Sequence, residues 1–541
     1  MAITLGEYLI KLLERFDVEH VFGIPGVHTA ELYRGLTNSP IRHVTPRHEQ
    51  GASFAADGYA RMSGKPGVCL LITGPGLTNA MTGIGQAYAD SIPMLILSGV
   101  NATRELGHGR GRLHELPNQN ALMSQITAFS HTLTHADDIL PVLERAFAVF
   151  EGGRPRPVHI EIPLDLMGAD ASHLALPEQR STPMRAPCIH PDQGSTFAEM
   201  CQAAQRPIIL AGGGARGAAE ELTRLAEALN APVVTTTNAR GLLGDEHPLA
   251  LNASPSLYAV RALVEQADLT IAVGTELGQT DYDVYGSGPF QAGGKLVRID
   301  IDPQQLKRNA RAELEILSDA RAALADVVAR VPETGKANPL AEQVPGVRAA
   351  AAQGLSPLYA RVARCLGTVW NTIPDAVFVG DSTQPVYAGN DLLPIPATGR
   401  WFNSATGFGT LGYALPAAIG AKAAAAERPV IAVAGDGGFQ FTLTEMAMAA
   451  EADLPVSVIV WDNACYLEIS NYMKEINVPP VAVDLVSPDF AAIATAYGWN
   501  VARVRSEQEL IEAIALTQNS GTSTLILGME FLDEDTGNQD G

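Results

Sequence analysis

Short apolar runs that stop at a Gly or Pro turn recur along this chain, and they constrain its fold more than any other feature. HVFGIPG (20–26), GVCLLITGPG (67–76) and MLILSGV (94–100) follow the pattern, and PVHIEIPLDL closes a first segment spanning 1–170. A strand covered on both faces reads as a continuous apolar run, and the turn after it feeds a helix. The pattern returns in 192–335 with RPIILAGGG, APVVTTT, LTIAVGTE and GKLVRIDIDP, and again in 355–535 with DAVFVGDS, RPVIAVAGDGGF, LPVSVIVWDN and TSTLILGM. Between the segments, ADASHLALPEQRSTPMRAPCIHPDQ and VPETGKANPLAEQVPG are polar and Pro-bearing, and they read as linkers. The expectation is an α/β protein of three doubly wound parallel-sheet domains. Ligands then belong at the carboxyl ends of the strands.

The formal net charge of -22 argues against nucleic acid or an anionic membrane as partner. No apolar run reaches the roughly 18 residues of a membrane span. Cys69, Cys188, Cys201, Cys365 and Cys465 are scattered without a CxxC pair, against a zinc site or a disulfide framework and for a reducing compartment. MAITLGEYLIKLLERFDVEH carries acids within an amphipathic pattern and reads as a helix, not a signal peptide. A cytoplasmic protein acting on small molecules is expected.

Three stretches carry candidate chemistry. AGGGARG (211–217) follows a strand, but it is a poor GxGxxG and lacks an acidic partner on the next strand; turn geometry competes there with a nucleotide site. In AVAGDGGFQFTLTEMAMAAEADLPVSVIVWDNACY (432–466), Asp436 ends an apolar strand between Gly435, Gly437 and Gly438, ahead of the helix FTLTEMAMAAEA. Asn463 ends the next strand, 27 positions on, and parallel strands bring both ends to one side. One carboxylate, one amide oxygen and a main-chain carbonyl suit Mg²⁺, which draws its other ligands from water and phosphates. In RHEQGASFAADGYAR (47–61), Glu49 stands before a run of small residues that suits burial. A buried carboxylate costs several kcal/mol unless something answers it. It is either a helix first-turn acid or a functional group.

With FGIPG (22–26), TGPGLTNAM (73–81) and GYALPAAIGA (412–421) in the same order, the whole chain resembles the thiamine diphosphate-dependent decarboxylase and acetolactate synthase superfamily. That resemblance implies a pyrimidine-binding, a central and a diphosphate-binding domain. It implies thiamine diphosphate and Mg²⁺ as cofactors, the metal held by Asp436, Asn463 and the carbonyl of Cys465. It makes Glu49 the proton relay to the aminopyrimidine, Leu411 the apolar wedge under the cofactor and Gly409 an acceptor for its amino group. Gly26, Thr73, Asn79, Ser382 and Thr383, with Gly435, Gly437 and Gly438, fall at its cofactor contacts. It also implies a site shared between two chains, hence a homodimer at least and commonly a homotetramer.

The departures bear on substrate. Val27 and His28 follow FGIPG where many family decarboxylases carry Asp or Ser; His28 either supplies the polar group or lines the pocket. His114, in RGRLHELPN, is a proton-transfer candidate or a loop histidine bonded to backbone. Asp381 and Glu468 are expected at the site mouth, as partners for a cationic tail such as a guanidinium or as solvated rim charges, with Asp381 alternatively orienting cofactor contacts. FGIPGVHTAELYRGL, RHVTPRHEQG and GRLHELPNQ resemble bacterial decarboxylases of 5-guanidino-2-oxopentanoate. An acetolactate synthase-type carboligase and a catalytically inert relative are the alternatives.

Overall fold

The computed structural model describes residues 3–178, 180, 182–332 and 336–532. Three sheets are present and every pairing in them is parallel. The first is built from β1 (His20–Gly23), β2 (Arg42–Val44), β3 (Gly67–Leu71), β4 (Met94–Val100), β5 (Phe129–Thr132) and β6 (Val158–Pro163). The second holds β7 (Pro207–Ala211), β8 (Val233–Thr235), β9 (Leu269–Val273), β10 (Lys295–Asp300) and β11 (Leu314–Leu317). The third holds β12 (Val377–Gly380), β13 (Trp401–Asn403), β14 (Val430–Gly435), β15 (Ser457–Trp461), β16 (Asn500–Arg503) and β17 (Thr524–Leu527). The spatial orders are β2-β1-β3-β4-β6-β5, β11-β10-β9-β7-β8 and β13-β12-β14-β15-β17-β16. The first and third sheets are therefore wound identically. Winding reverses between β1 and β3, between β7 and β9, and between β12 and β14, which opens a crevice at each reversal.

Sequence reading missed β2, β5, β11, β13 and β16, and each is an edge strand. Four of them keep partly exposed residues along their length, so no unbroken apolar run marks them. The second expected linker is corrected in part. Its residues from Pro339 begin a helix, Pro339–Gly354, capped by the Asn338 side chain, with Leu340, Val344 and Ala351 buried. Burial there outweighs the interior Pro345. The helix expected after the GDGG turn starts at Asp436 itself and runs to Thr442. A 3₁₀ turn, Leu443–Glu445, then separates it from Met446–Glu451.

The helix Glu49–Ser63 shows why its sequence is so small-grained. It packs directly on the helix Ala414–Ala424 of the third segment, backbone against backbone. A Cβ on Gly58 would fall 2.0 Å from the Ala417 carbonyl oxygen, and one on Gly420 would fall 1.8 Å from that of Ala55. An ionic cluster closes the contact. Arg61 donates to Asp57 and Asp90, each at 2.6 Å, and the Tyr413 hydroxyl donates to Asp57. Asp57, Arg61 and Tyr413 are all buried, so removing one partner strands a charge in the interior.

Gly58→Ala is predicted to lower stability by about 1–3 kcal/mol, because the added methyl meets backbone that has no rotamer to retreat into. Urea denaturation measures it; an unchanged midpoint would mean the helices can separate freely.

Candidate active site

The first crevice gathers the predicted N-terminal residues. Glu49 is the first residue of its helix, behind the N-cap His48, yet only 8% exposed. Its Oε2 accepts from Asn79 Nδ2 at 2.9 Å. Asn79 lies on the helix Pro75–Ala89, whose Gly76 brings backbone near the other carboxylate oxygen: a Cβ there would sit 3.4 Å from Oε1. Asn79, expected as a cofactor contact, is thus the residue that orients Glu49. Thr73 is buried, and its hydroxyl donates to Gln119 Oε1 at 2.7 Å. Gly26 lies in the turn after β1, bonded to Thr29. Its neighbour Val27, at the position where many family decarboxylases carry Asp or Ser, is 72% exposed, so this chain alone does not enclose it.

His28 and His114 come together, ring centroids 5.2 Å apart and edge to face. His28 is buried, and its Nδ1 has no partner among the described residues. Burial first, and then the neighbouring His114, push its pKa below the usual imidazole value, with Asn101 and the Leu113 carbonyl opposing. His28 is therefore neutral at neutral pH and keeps a ring nitrogen free.

The third sheet's crevice gathers the C-terminal residues. Asp381 was expected at the mouth and is found inside, 1% exposed. Its two oxygens accept from the Ser382 and Gly412 amides, each at 2.8 Å. Burial pushes its pKa up to about 6 against those N–H partners. It works as a brace for the loop Gly409–Gly412 and cannot meet a substrate tail from there. Gly409 and Gly412 have φ of 71° and 81°, so the loop turns sharply at both ends of Thr410-Leu411. Thr442 Oγ1 donates to the Gly412 carbonyl at 2.8 Å and fixes the far end, leaving Leu411 half-buried on the turn. Ser382 Oγ donates to the Thr410 carbonyl at 3.3 Å.

Asp436 is 2% exposed and accepts from Ser487 Oγ at 3.3 Å. Burial and then the charge of Asp462 raise its pKa. The register Gly435↔Trp461 sets the ends of β14 and β15 side by side, so Asp436 and Asn463 leave the sheet together. Asn463 is exposed, and its Oδ1 accepts from the Cys465 amide at 3.2 Å, a tight turn that holds Cys465 beside it. Among the described residues no group of three or more His, Cys, Asp or Glu could hold a metal ion. Asp436, Asn463 and the main chain at Cys465 bring one carboxylate, one amide and one carbonyl to the same strand ends, a set that could hold a small hard cation sharing its shell with phosphate. The glycines serve close approach. A Cβ on Gly437 would sit 2.6 Å from the Tyr466 ring, on Gly438 2.6 Å from Asp381 Oδ2, and on Gly435 3.0 Å from Thr383 Oγ1. Glu468 is exposed on the helix Leu467–Glu475, near Tyr359 and Gln384.

A cavity of about 360 Å³ lies at the reversal between β7 and β9, bordered by Gly212–Gly214, Arg216, Gly274 and Asp300. A Cβ on Gly212 would fall 2.3 Å from the Gly274 carbonyl oxygen, so close packing of two turns already accounts for a glycine of AGGGARG.

Residues 3–122 match the thiamine pyrophosphate enzyme N-terminal TPP binding domain, 195–327 the central domain and 381–527 the C-terminal TPP binding domain. This chain belongs to the thiamine pyrophosphate enzymes. It is 43% identical over 515 residues to a probable 2-ketoarginine decarboxylase, AruI, of Pseudomonas aeruginosa, covering 94% of this chain and 90% of the relative. A probable acetolactate synthase large subunit of Methanocaldococcus jannaschii is 32% identical, with 94% and 89% covered. An acetolactate synthase of Mycobacterium bovis is 33% identical, with 95% and 85% covered.

In this thiamine pyrophosphate enzyme, two residues at the site escaped sequence reading. Gln119, five positions after His114, is buried at the centre of a fully engaged amide. Its Oε1 accepts from Thr73 and Gly74, and its Nε2 donates to Ser98, the Gly99 carbonyl and Glu161. Glu445, on the 3₁₀ turn, is 0% exposed and accepts from the Arg47 and His48 amides at 2.9 and 3.0 Å. It thereby pins the chain just before Glu49. Burial pushes its pKa up to about 7, and Glu49 adds to the rise after the two amides and Arg47 oppose it. Glu445 sits in TLTEM at a helical spacing that looks like an ordinary surface acid. Only the break in the helix turns it inward.

Glu445→Ala is predicted to cut turnover at least about tenfold while substrate KM holds, because two buried amides lose their acceptor and Glu49 loses its seat. Steady-state kinetics read it, and Glu445→Gln, which keeps one acceptor oxygen, is expected to recover part of the loss. Equal turnover in all three proteins would remove Glu445 from the site.

Proposed function

We propose that this chain is a thiamine diphosphate- and Mg²⁺-dependent decarboxylase of 2-oxo acids, and that its substrate is 5-guanidino-2-oxopentanoate, released as 4-guanidinobutanal and carbon dioxide. One observation carries the catalytic reading: Glu49 is buried at a helix start and oriented by a neutral amide, with no cation paired to it among the described residues. A carboxyl group set that way is arranged for proton transfer. Likeness to the Pseudomonas protein supports the substrate.

The residues fit the cofactors. Asp436, Asn463 and the Cys465 carbonyl would hold Mg²⁺. Gly435, Gly437 and Gly438 let this turn pack against Thr383, Tyr466 and Asp381 with no Cβ between, so that its backbone would approach the diphosphate beside Ser382 and Thr383. Leu411 stands on a braced turn as an apolar support, beside the Gly409 carbonyl. When bound, thiamine diphosphate supplies a carbon nucleophile and an electron sink that let carbon dioxide leave a 2-oxo acid. Glu49 holds or gives up a proton at Oε1, since Oε2 already takes the Asn79 amide. The aldehyde gains one proton at the carbon that loses carboxylate, and in this reading His114 delivers it, with the neutral His28 ring beside it as relay. Buried neighbours keep competing water away from Glu49.

In this reading residues 1–170 form the pyrimidine-binding domain, 192–335 the central domain and 355–535 the diphosphate-binding domain; residues 1–2, 333–335 and 533–535 lie outside the described residues. Glu49 and Asp436 serve one cofactor from two different chains, so a homodimer is the smallest active unit and a homotetramer its expected form in the cytoplasm. Exposed apolar side chains support burial by a second chain, among them Val27 at 72%, Phe408 at 54%, Phe441 at 54% and Val486 at 89%. No described helix is long and apolar enough to cross a membrane.

A panel of 2-oxo acids incubated with the purified protein, thiamine diphosphate and Mg²⁺ tests the function. Carbon dioxide and 4-guanidinobutanal are expected from the guanidino acid. An acetohydroxy acid formed from pyruvate would instead establish the carboligase activity named in the acetolactate synthase relatives, and no carbon dioxide from any acid would leave an inert relative. Glu49→Gln is predicted to retain the cofactor by calorimetry and lose at least about 100-fold in turnover. Wild-type turnover would end its role as proton relay.

A further inference from the structure

Tyr359 and Tyr285 each donate to a carboxylate beside the diphosphate-binding crevice, with Tyr387 on the adjoining helix, and none of the residues described above explains them. Tyr359, on the helix Pro357–Thr372, donates its hydroxyl to Glu468 Oε1 at 3.5 Å. Gln384 Nε2 donates to the same oxygen at 3.2 Å. Both partners of Glu468 are neutral, so its charge is left without a counter-ion from them. Tyr387 lies on the helix Gln384–Leu392, the helix that also carries Gln384 to Glu468, and the Glu468 charge acts on its phenol. Tyr285, from the central segment, donates its hydroxyl to Asp391, which is 4% exposed. Burial first, and then these carboxylates, raise all three phenols, so each stays a neutral ring and an O–H donor at working pH.

Such a surface is specific in what it takes. A flat cation that is weakly hydrated and carries several N–H donors gains from both features: rings offer it a negative face, and a carboxylate accepts its paired hydrogen bonds. A compact ammonium gains less from the rings and keeps its water. An anion is repelled. Glu468 follows Asn463 by five residues, so the tail-binding group and the metal-binding group are carried by one continuous segment.

We propose that Tyr359, Tyr387 and Glu468 form the subsite for the guanidinium tail of the substrate, with Tyr285 and Asp391 as its outer wall. This rests on the decarboxylase reading and names what gives it specificity. Asp381, braced inside, takes no part.

Calorimetry on the cofactor-loaded protein tests it with two unreactive probes of one shape, 5-guanidinopentanoate and 7-methyloctanoate. The wild type is expected to prefer the guanidino probe. Glu468→Gln and Tyr359→Ala are each expected to weaken that probe roughly tenfold or more, with the neutral probe held within about twofold. Tyr359→Phe, which keeps the ring, should lose less than Tyr359→Ala. In kinetics the same variants should raise KM for the guanidino acid and not for its neutral analogue. A preference that survives both variants, or that the wild type lacks, overturns the subsite. If the preference falls as expected but no 2-oxo acid releases carbon dioxide, the subsite stands and the assigned reaction fails.

Discussion

The structure depends on one contact, the backbone-to-backbone packing of Glu49–Ser63 on Ala414–Ala424. Two helices meet this closely only where side chains are absent from the seam, which is why Gly58 and Gly420 face carbonyl oxygens of Ala417 and Ala55. The seam joins the first and third sheets through their cover helices. It also sets the position of Glu49, because the helix that carries the carboxylate has no freedom to slide. Arg61, Asp57, Asp90 and Tyr413 lock the opposite end of the same helix with buried charge-assisted bonds. The position of the carboxylate at the N-terminus of this helix is therefore fixed by packing along its whole length.

Buried carboxylates recur at the site, and their partners distinguish their tasks. Asp381 and Glu445 each accept two main-chain amides, and both hold loops in place. Glu49 accepts one side-chain amide and keeps an oxygen in reserve. Asp436 shares a serine hydroxyl with Asp462 and stands at a strand end beside an exposed amide. A carboxylate saturated by amides is a structural anchor; one left partly unsatisfied in a dry place is available for proton or metal chemistry.

Much of this was legible in the sequence, for physical reasons that differ by element. Inner strands such as β3, β4, β14 and β15 are buried on both faces, and their apolar runs announce them. Edge strands such as β5 and β16 are half-covered and mixed in composition, so nothing in their pattern separates them from loop. The places of Asp436 after its strand and Asn463 after the next could be anticipated because parallel pairing fixes where strand ends go. Asp381 looked like the same kind of residue, but its inward turn depends on the Gly412 amide arriving from a distant loop. Gln119 and Glu445 were invisible for the same reason: both owe their roles to partners far along the chain. The small residues after Glu49 were legible as buried, while the helix they bury against was not.

The first and third sheets share one strand order, and that has a consequence for how such a chain could arise. Two copies of a single winding module, fused with a third unit between them, would begin with equivalent crevices and equivalent cover helices. Divergence then needs to alter only what hangs from the rims: an acid at a helix start in one copy, a glycine-flanked acid at a strand end in the other. Division of labour between duplicated halves would leave the architecture untouched, which is what the matching strand orders preserve.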